Sequence, residues 1–338
     1  MSGAEDDVVS NDVAANSLVP VALIGAGATG RGYADAVAVS DRFELVAAVD
    51  ASVDRARGLL GGLDPEAFAS VHDLLDHADN LGVRAAIVCA PTTSHVPVVT
   101  ALLERGVAVL CHPPLAPSRP STRMILDCAR RTKSALVVAS DHRRAYEVEK
   151  AATMLASGVV GDVRLVRVHL RTQDAAETGI LRELGTVALD LVRMLVGPIR
   201  HVTAEAADVS DARTTTSQFL VRTDDDISVS VMLSADCSLG PGWDVLAEGS
   251  QGALRLDAEG LSRHAGVGWE KVCRKTPVAE LRSRHLERLA DALCSGQGCS
   301  PTDEDDALAA VAVLEAARRS VEIGGWARVI DERVSAGR

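Results

Sequence analysis

Pro20-Val21-Ala22-Leu23-Ile24-Gly25-Ala26-Gly27-Ala28-Thr29-Gly30 is a short apolar run that ends in glycines spaced G-x-G-x-x-G. An apolar run of strand length followed at once by such glycines reads as a strand turning tightly into a helix. Gly25 makes the turn, Gly27 lets the backbone approach a pyrophosphate, and Gly30 lets the helix pack closely on its strand. The start of that helix, at Ala28 and Thr29, then faces the phosphates. A second apolar run, 43–49, delivers Asp50 about 20 residues further on, where a carboxylate accepts both hydroxyls of a ribose. Strand, glycine turn, helix, strand and acid together make a dinucleotide site. Asp50 favours NAD over NADP because a carboxylate repels a 2′-phosphate. NADP stays open, since Arg55 and Arg57 lie a few residues beyond.

The same texture continues to residue 140. Apolar segments at 21–24, 45–49, 85–89, 108–111 and 135–139 alternate with helical periodicity. That alternation predicts an α/β Rossmann domain over 18–140, a parallel doubly wound sheet covered by helices on both faces. Ligands of such sheets bind at the carboxyl ends of the strands, so Gly25, Asp50, Pro91 and His112 converge. From Asp141 on, segments 163–170, 202–209, 218–223 and 227–235 alternate with period two, which predicts an open, mainly antiparallel sheet. A helix at about 183–195, stopped by Gly197-Pro198, interrupts it. Helices at about 278–295 and 303–323 close the chain, the second introduced by Ser300-Pro301-Thr302-Asp303. Residues 141–338 therefore read as an α+β unit for substrate binding and oligomerisation, and the polar, acidic residues 1–17 as a disordered tail.

Composition narrows the partners. The 338 residues suffice for two cores. An excess of 47 acidic over 35 basic residues gives a net charge of -12, which disfavours nucleic acid and anionic membrane surfaces. Aromatic residues are 2% of the chain, too few for a platform that stacks single-stranded bases. No apolar stretch is long enough to span a bilayer. Seven scattered cysteines without a C-x-x-C spacing fit a reducing cytoplasm and neither a disulfide framework nor a zinc site, so no metal is assigned. The expected partners are a small-molecule substrate and a second copy of the chain on the open face of the C-terminal sheet.

Four stretches resemble, in order and spacing, segments of the Gfo/Idh/MocA oxidoreductases, the family of glucose-fructose oxidoreductase and inositol dehydrogenase. They are Ala85-Ala86-Ile87-Val88-Cys89-Ala90-Pro91-Thr92-Thr93-Ser94-His95, the segment Ala101 to Cys111, Leu155 to Val163, and Gly249 to Leu256. The resemblance implies that Pro91, Thr92 and His95 lie beside the nicotinamide of NAD, with His95 orienting the cofactor. It implies hydride transfer on a sugar, cyclitol or related polar metabolite, and pairing of subunits through the C-terminal sheet. Two positions depart from the family. Its Glu-Lys-Pro is here His112-Pro113-Pro114, without the lysine that serves the substrate oxygen. Its aspartate and, four residues on, its proton-shuttling histidine are here Glu183 and Val187.

Removing hydride from an alcohol carbon requires an acceptor for the hydroxyl proton, and valine is none. His112 can act as acid or base at the crevice mouth, or contact a cofactor ribose. Asp141-His142-Arg143-Arg144-Ala145-Tyr146 follows the last parallel strand, so His142 or Tyr146 can donate a proton there and Arg143 can hold a carboxylate or phosphate. The competing reading is a polar helix start with solvated arginines. Glu183 shares a helix face with Val187 and Asp190, where a buried carboxyl serves as general acid or pairs with Arg143 or Arg182. Asp190 itself is read as a substrate contact. None of the four lysines, Lys133, Lys150, Lys271 and Lys275, falls in a motif that aims it at the crevice. Three functions follow: an NAD(P)-dependent oxidoreductase with non-standard acid–base residues, an imine-reductase-like member, or a repurposed nucleotide-binding regulator.

Overall fold

The computed structural model describes residues 18–59, 66–172, 180–205, 216–235, 240–295 and 298–330, leaving aside the side chains of 180–183 and 301–302. The expected tail at 1–17 lies outside the described residues. The first half runs β1 (Val19–Ile24), α1 (Ala28–Ala38), β2 (Phe43–Val49), α2 (Val53–Leu59), β3 (Glu66–Phe68), α3 (Val71–His77), β4 (Ala85–Val88), α4 (His95–Glu104), β5 (Ala108–Cys111), α5 (Arg119–Thr132) and β6 (Leu136–Val138). The second runs α6 (Tyr146–Ala156), β7 (Val163–Thr172), α7 (Ile180–Val196), β8 (Ile199–Glu205), β9 (Thr216–Thr223), β10 (Ser228–Ala235), β11 (Gly242–Gly249), β12 (Ala253–Asp257), β13 (Gly260–His264), β14 (Trp269–Arg274), α8 (Val278–Ser295), α9 (Pro301–Ile323) and β15 (Ala327–Arg328).

The first sheet has the order β3-β2-β1-β4-β5-β6, all parallel, so the strand order reverses between β1 and β4. A crevice opens at that reversal, beyond the carboxyl ends of the strands. Every residue of β4 and β5 is buried, as expected of strands covered on both faces. Sequence reading found five of these strands. The sixth, β3, is a three-residue edge strand too short to show a pattern.

The second sheet has the order β14-β13-β12-β11-β7-β10-β9-β8-β15. Its pairs are antiparallel except β7 with β10, which run parallel. Period-two burial is the same for both pairings, so the sequence does not distinguish them. Val166, Val168, Phe219, Val221, Val229 and Val231, each at most 1% exposed, form the inner face against α7. Burial of each contributes roughly 1.5–3 kcal/mol.

Two helices late in the chain join the sheets. Leu286, Leu289 and Ala290 of α8 pack into the core beneath α1 and β5, so α8 covers the first sheet although it follows the second in sequence. On α9, Val313, Leu314 and Ala317 pack on the second core while Ala307 and Leu308 pack on the first. Two of the expected signals stand at helix ends: Ser300 Oγ accepts from the Asp303 N–H at 3.1 Å, and Gly197 takes a positive φ of 85° after α7. Gly324, with φ of 65°, ends α9 in the same way. Among the described residues no helix is long and apolar enough to cross a membrane.

Candidate active site

The glycine turn is built as its chemistry requires. Gly25 has φ of 101°, and a Cβ there would lie 2.7 Å from the backbone of Cys89. A Cβ on Gly30 would lie 2.0 Å from the Gly25 carbonyl oxygen, whereas one on Gly27 would meet nothing within 4 Å. Gly25 and Gly30 are thus fixed by packing on protein, and Gly27 by a space left open. No side chain caps α1, and its first hydrogen bond runs from Arg31 N–H to Gly27 O, so the N–H groups of Ala28, Thr29 and Gly30 have no helical acceptor. Free N–H groups at a helix start beside an open space fit a pyrophosphate. Asp50 closes the site. Its Oδ2 accepts from Ala26 N–H at 2.9 Å, and its Oδ1 accepts from Ser52 N–H at 2.9 Å and Arg55 Nη2 at 2.7 Å. Burial works to raise the Asp50 pKa, but these backbone N–H groups and the Arg55 guanidinium hold it below the ordinary aspartate value.

Beyond β4 the chain makes a short turn at Thr92–Ser94, with Pro91 exposed at the rim and Thr92 buried. His95 is sealed at 1% exposure. Its Nε2 lies 2.8 Å from the Ala90 carbonyl oxygen, and its Nδ1 lies 3.1 and 3.2 Å from those of Pro114 and Leu115. The ring therefore ties the β4 turn to the chain after β5. Burial lowers its pKa against the pull of those carbonyls. Burial also pushes the Cys89 thiol up to about 12 and the Cys111 thiol higher still, which leaves both as core groups rather than nucleophiles.

Between the two sheets lies a cleft of about 290 Å³. The first sheet contributes His112, Pro113, Ala139 and Asp141, at the ends of β5 and β6. The facing wall includes Leu184 and Val187 of α7, Leu170 and Arg171 of β7, and Trp243 of β11. Burial drives the His112 pKa down against the Asp141 charge, leaving a neutral imidazole at the mouth. Burial works to raise the Asp141 pKa, but the bond it accepts from His285 Nε2 at 3.0 Å helps hold its carboxyl below the ordinary range.

His142 also lines the cleft, at 3% exposure. Its Nε2 lies 2.7 Å from Asp190 Oδ2, while its Nδ1 makes no hydrogen bond among the described residues. Asp190 further accepts from Arg143 Nε and Nη2, both at 2.6 Å, and from Arg193 Nη1 at 3.3 Å. Burial would raise the Asp190 pKa, but the bonds and charges of Arg143 and His142 hold it far below the ordinary range. Arg143 Nη1 also touches Asp306 Oδ2 at 2.7 Å, a charge contact without hydrogen-bond alignment.

Arg143 and Asp190, expected as substrate contacts, are bonded to each other inside the protein, and both line a smaller cavity that shares Pro113, His142 and Val187 with the cleft. Tyr146, expected as a proton donor, does not reach the cleft: it is 49% exposed, starts α6, and is absent from the cleft wall. Glu183 falls in α7, but its side chain lies outside the described residues. Conversely, Lys275 lines the cleft, contrary to the expectation that no lysine reaches it. It follows β14, and only the folded meander β11 to β14 reveals where that strand ends.

Comparison with known proteins agrees with this architecture. Residues 19–140 match the family model "Oxidoreductase family, NAD-binding Rossmann fold", and residues 148–255 match "GFO/IDH/MocA C-terminal domain". The chain is similar to inositol 2-dehydrogenase of Rhizobium meliloti, 26% identical over 327 residues that cover 88% of this chain and 96% of that protein. It is 33% identical over 268 residues to myo-inositol dehydrogenase Hyg17 of Streptomyces leeuwenhoekii, covering 74% and 80% of the two. The structure of GenD2 from gentamicin A biosynthesis, in complex with NAD, superposes with a TM-score of 0.79 at 24% identity over 93% of this chain and 97% of that one. Glycine turn, Asp50, strand order and both family matches lead to one conclusion: the chain belongs to the Gfo/Idh/MocA oxidoreductase family, with an NAD-binding Rossmann domain.

Proposed function

We propose that the protein is an NAD-dependent oxidoreductase that moves a hydride to or from a carbon bearing oxygen in a sugar, cyclitol or related polar metabolite. Its proton chemistry uses residues other than the lysine and histidine usual in the family. The observation that carries this reading is His142, which lines the cleft together with Val187, the residue at the usual histidine position, and is bonded from behind to the buried Asp190. A carboxylate bonded to one imidazole nitrogen fixes the ring's orientation and tautomer, leaving the other nitrogen to accept the substrate proton. Here the bracing carboxylate is Asp190 and the working nitrogen is Nδ1. His112, held neutral, offers a second imidazole at the end of β5.

The cofactor is held by the turn Gly25, Gly27 and Gly30, the N–H groups of Ala28 and Thr29, and Asp50, with Pro91 and Thr92 at the crevice rim. Bound NAD supplies the hydride acceptor or donor. A dimer through the outward face of the second sheet, where Leu220 and Met232 are exposed, and a cytoplasmic setting complete the reading. The test is His142→Ala. It is expected to lower NAD⁺-dependent oxidation of a polyol panel headed by myo-inositol by about 10²- to 10⁴-fold, with NADH affinity kept within about twofold. Undiminished turnover would remove His142 from the mechanism.

A further inference from the structure

We propose that Lys275 supplies the cationic hydrogen-bond donor for the substrate's reacting oxygen, replacing from the second sheet the lysine missing after β5. The proposal rests on the oxidoreductase reading above and deepens it. Lys275 lines the same cleft as His112 and Pro113, the positions where the family's Glu-Lys pair would begin, and as Val187 and His142. It is half-buried, and among the described residues it forms no ion pair. The other strong cation of that wall, Arg171, is already paired with Asp244 and bonded to the Gly240 carbonyl. Of the chain's 35 basic residues only four are lysines, and the other three lie elsewhere than in this cleft.

The backbone around Lys275 is held in place. Lys275 N–H donates to Glu259 O at 3.3 Å. Thr276 N–H and Oγ1 donate to Glu147 Oε2 at 2.9 and 2.6 Å, and Tyr146 N–H donates to Thr276 Oγ1 at 2.9 Å. Glu147, itself 1% exposed and part of the cleft wall, keeps its second oxygen, Oε1, buried without a partner. The unpaired ammonium of Lys275 thus stands on a backbone fixed by Glu147 and Thr276, as a donor for a hydroxylated ligand.

In alcohol oxidation the substrate O–H bond would break with its proton passing to His142 Nδ1 and its electron pair becoming the second carbon–oxygen bond; NAD⁺, when bound, would supply the acceptor for the hydride released from the carbon. Lys275 is unchanged, and its charge stabilises the oxygen as the proton leaves.

A fixed cation at the reacting end repels the positive ring of NAD⁺ and not the neutral ring of NADH. A unit charge about 7 Å away changes binding about threefold even at the dielectric constant of water. Dissociation constants of NAD⁺ and NADH are therefore to be measured on the full chain and on Lys275→Met, Lys275→Arg and Lys271→Met. The NAD⁺/NADH ratio of constants is expected to fall about threefold or more in Lys275→Met only. Lys275→Arg keeps the charge, and Lys271→Met loses the same charge from exposed β14. NADH affinity itself shows that each variant is folded. A ratio unmoved in Lys275→Met, or moved equally in Lys271→Met, would overturn the assignment of Lys275 alone. Failure of the unaltered chain to bind NADH would overturn the oxidoreductase reading beneath it.

Discussion

Replacing Gly27 by alanine separates folding from cofactor binding. Gly27 has φ of -76° and ψ of -173°, extended backbone that alanine adopts freely, and its Cβ would meet nothing within 4 Å. Losing glycine at the start of α1 costs about 0.5–1 kcal/mol as a cap, and the stiffer unfolded chain returns about 0.4–1 kcal/mol. Stability is therefore expected to stay within about 0.5 kcal/mol. Binding is another matter, because the methyl group would occupy the space beside the free N–H groups of α1. Loss of one charge-assisted hydrogen bond there costs about 1.5–3 kcal/mol, or roughly ten- to hundredfold in affinity. Gly30→Ala reverses the pattern. Its Cβ would sit 2.0 Å from Gly25 O, and Gly25 is held by its N–H bond to Val49 O at 2.8 Å and by Cys89, so the chain cannot yield. The cost is about 1–3 kcal/mol or more. Urea unfolding and NADH fluorescence titration of both variants decide the matter. A Gly27→Ala protein that binds NADH as tightly as the unaltered chain would refute the placement of the cofactor over Gly27.

Three further outcomes follow from the same geometry. Asp190→Ala leaves Arg143, Arg193 and His142 without their shared carboxylate and is expected to cost about 3–5 kcal/mol in urea unfolding; a loss below about 1 kcal/mol would mean the network contributes little. Burial lowers the pKa of His95 and His112, so below a pH of about 6.5 the unfolded chain takes up protons that the folded chain refuses. Stability from these two groups is thus complete above that pH and falls on acidification by up to about 1.4 kcal/mol per pH unit for each, until their folded values are reached. Urea midpoints that do not move between pH 7.5 and 5.5 would contradict that. Asp50→Ala frees Arg55 from its carboxylate partner and is expected to weaken NADH while improving NADPH, which paired titrations measure.

The dinucleotide half of the molecule was legible because its rules are local. Gly25, Gly27 and Gly30 follow an apolar strand directly, and in the second half Gly197 and Ser300 were legible for the same reason, since they sit next to the helices they bound. The cleft was legible only where a residue follows a parallel strand, as His112 and His142 do. The pairing of Arg143 with Asp190 was not legible, because each presents a charge suited to a ligand and nothing in a linear pattern shows that 47 residues away a partner already takes it. Lys275 was missed for the converse reason: its place depends on the register of β13 with β14 and on α8 returning to the first sheet. The parallel pairing of β7 with β10 was hidden because alternation reports which face is buried and not which way a neighbour runs.

Titration of the purified full chain with NADH and NADPH, followed by nicotinamide fluorescence and by heat, tests the oxidoreductase reading most directly. Saturable NADH binding at one site per chain, about tenfold or more tighter than NADPH, is the expected result, given a ribose-facing carboxylate at Asp50. Binding of neither nucleotide would contradict it and leave a family fold without its cofactor.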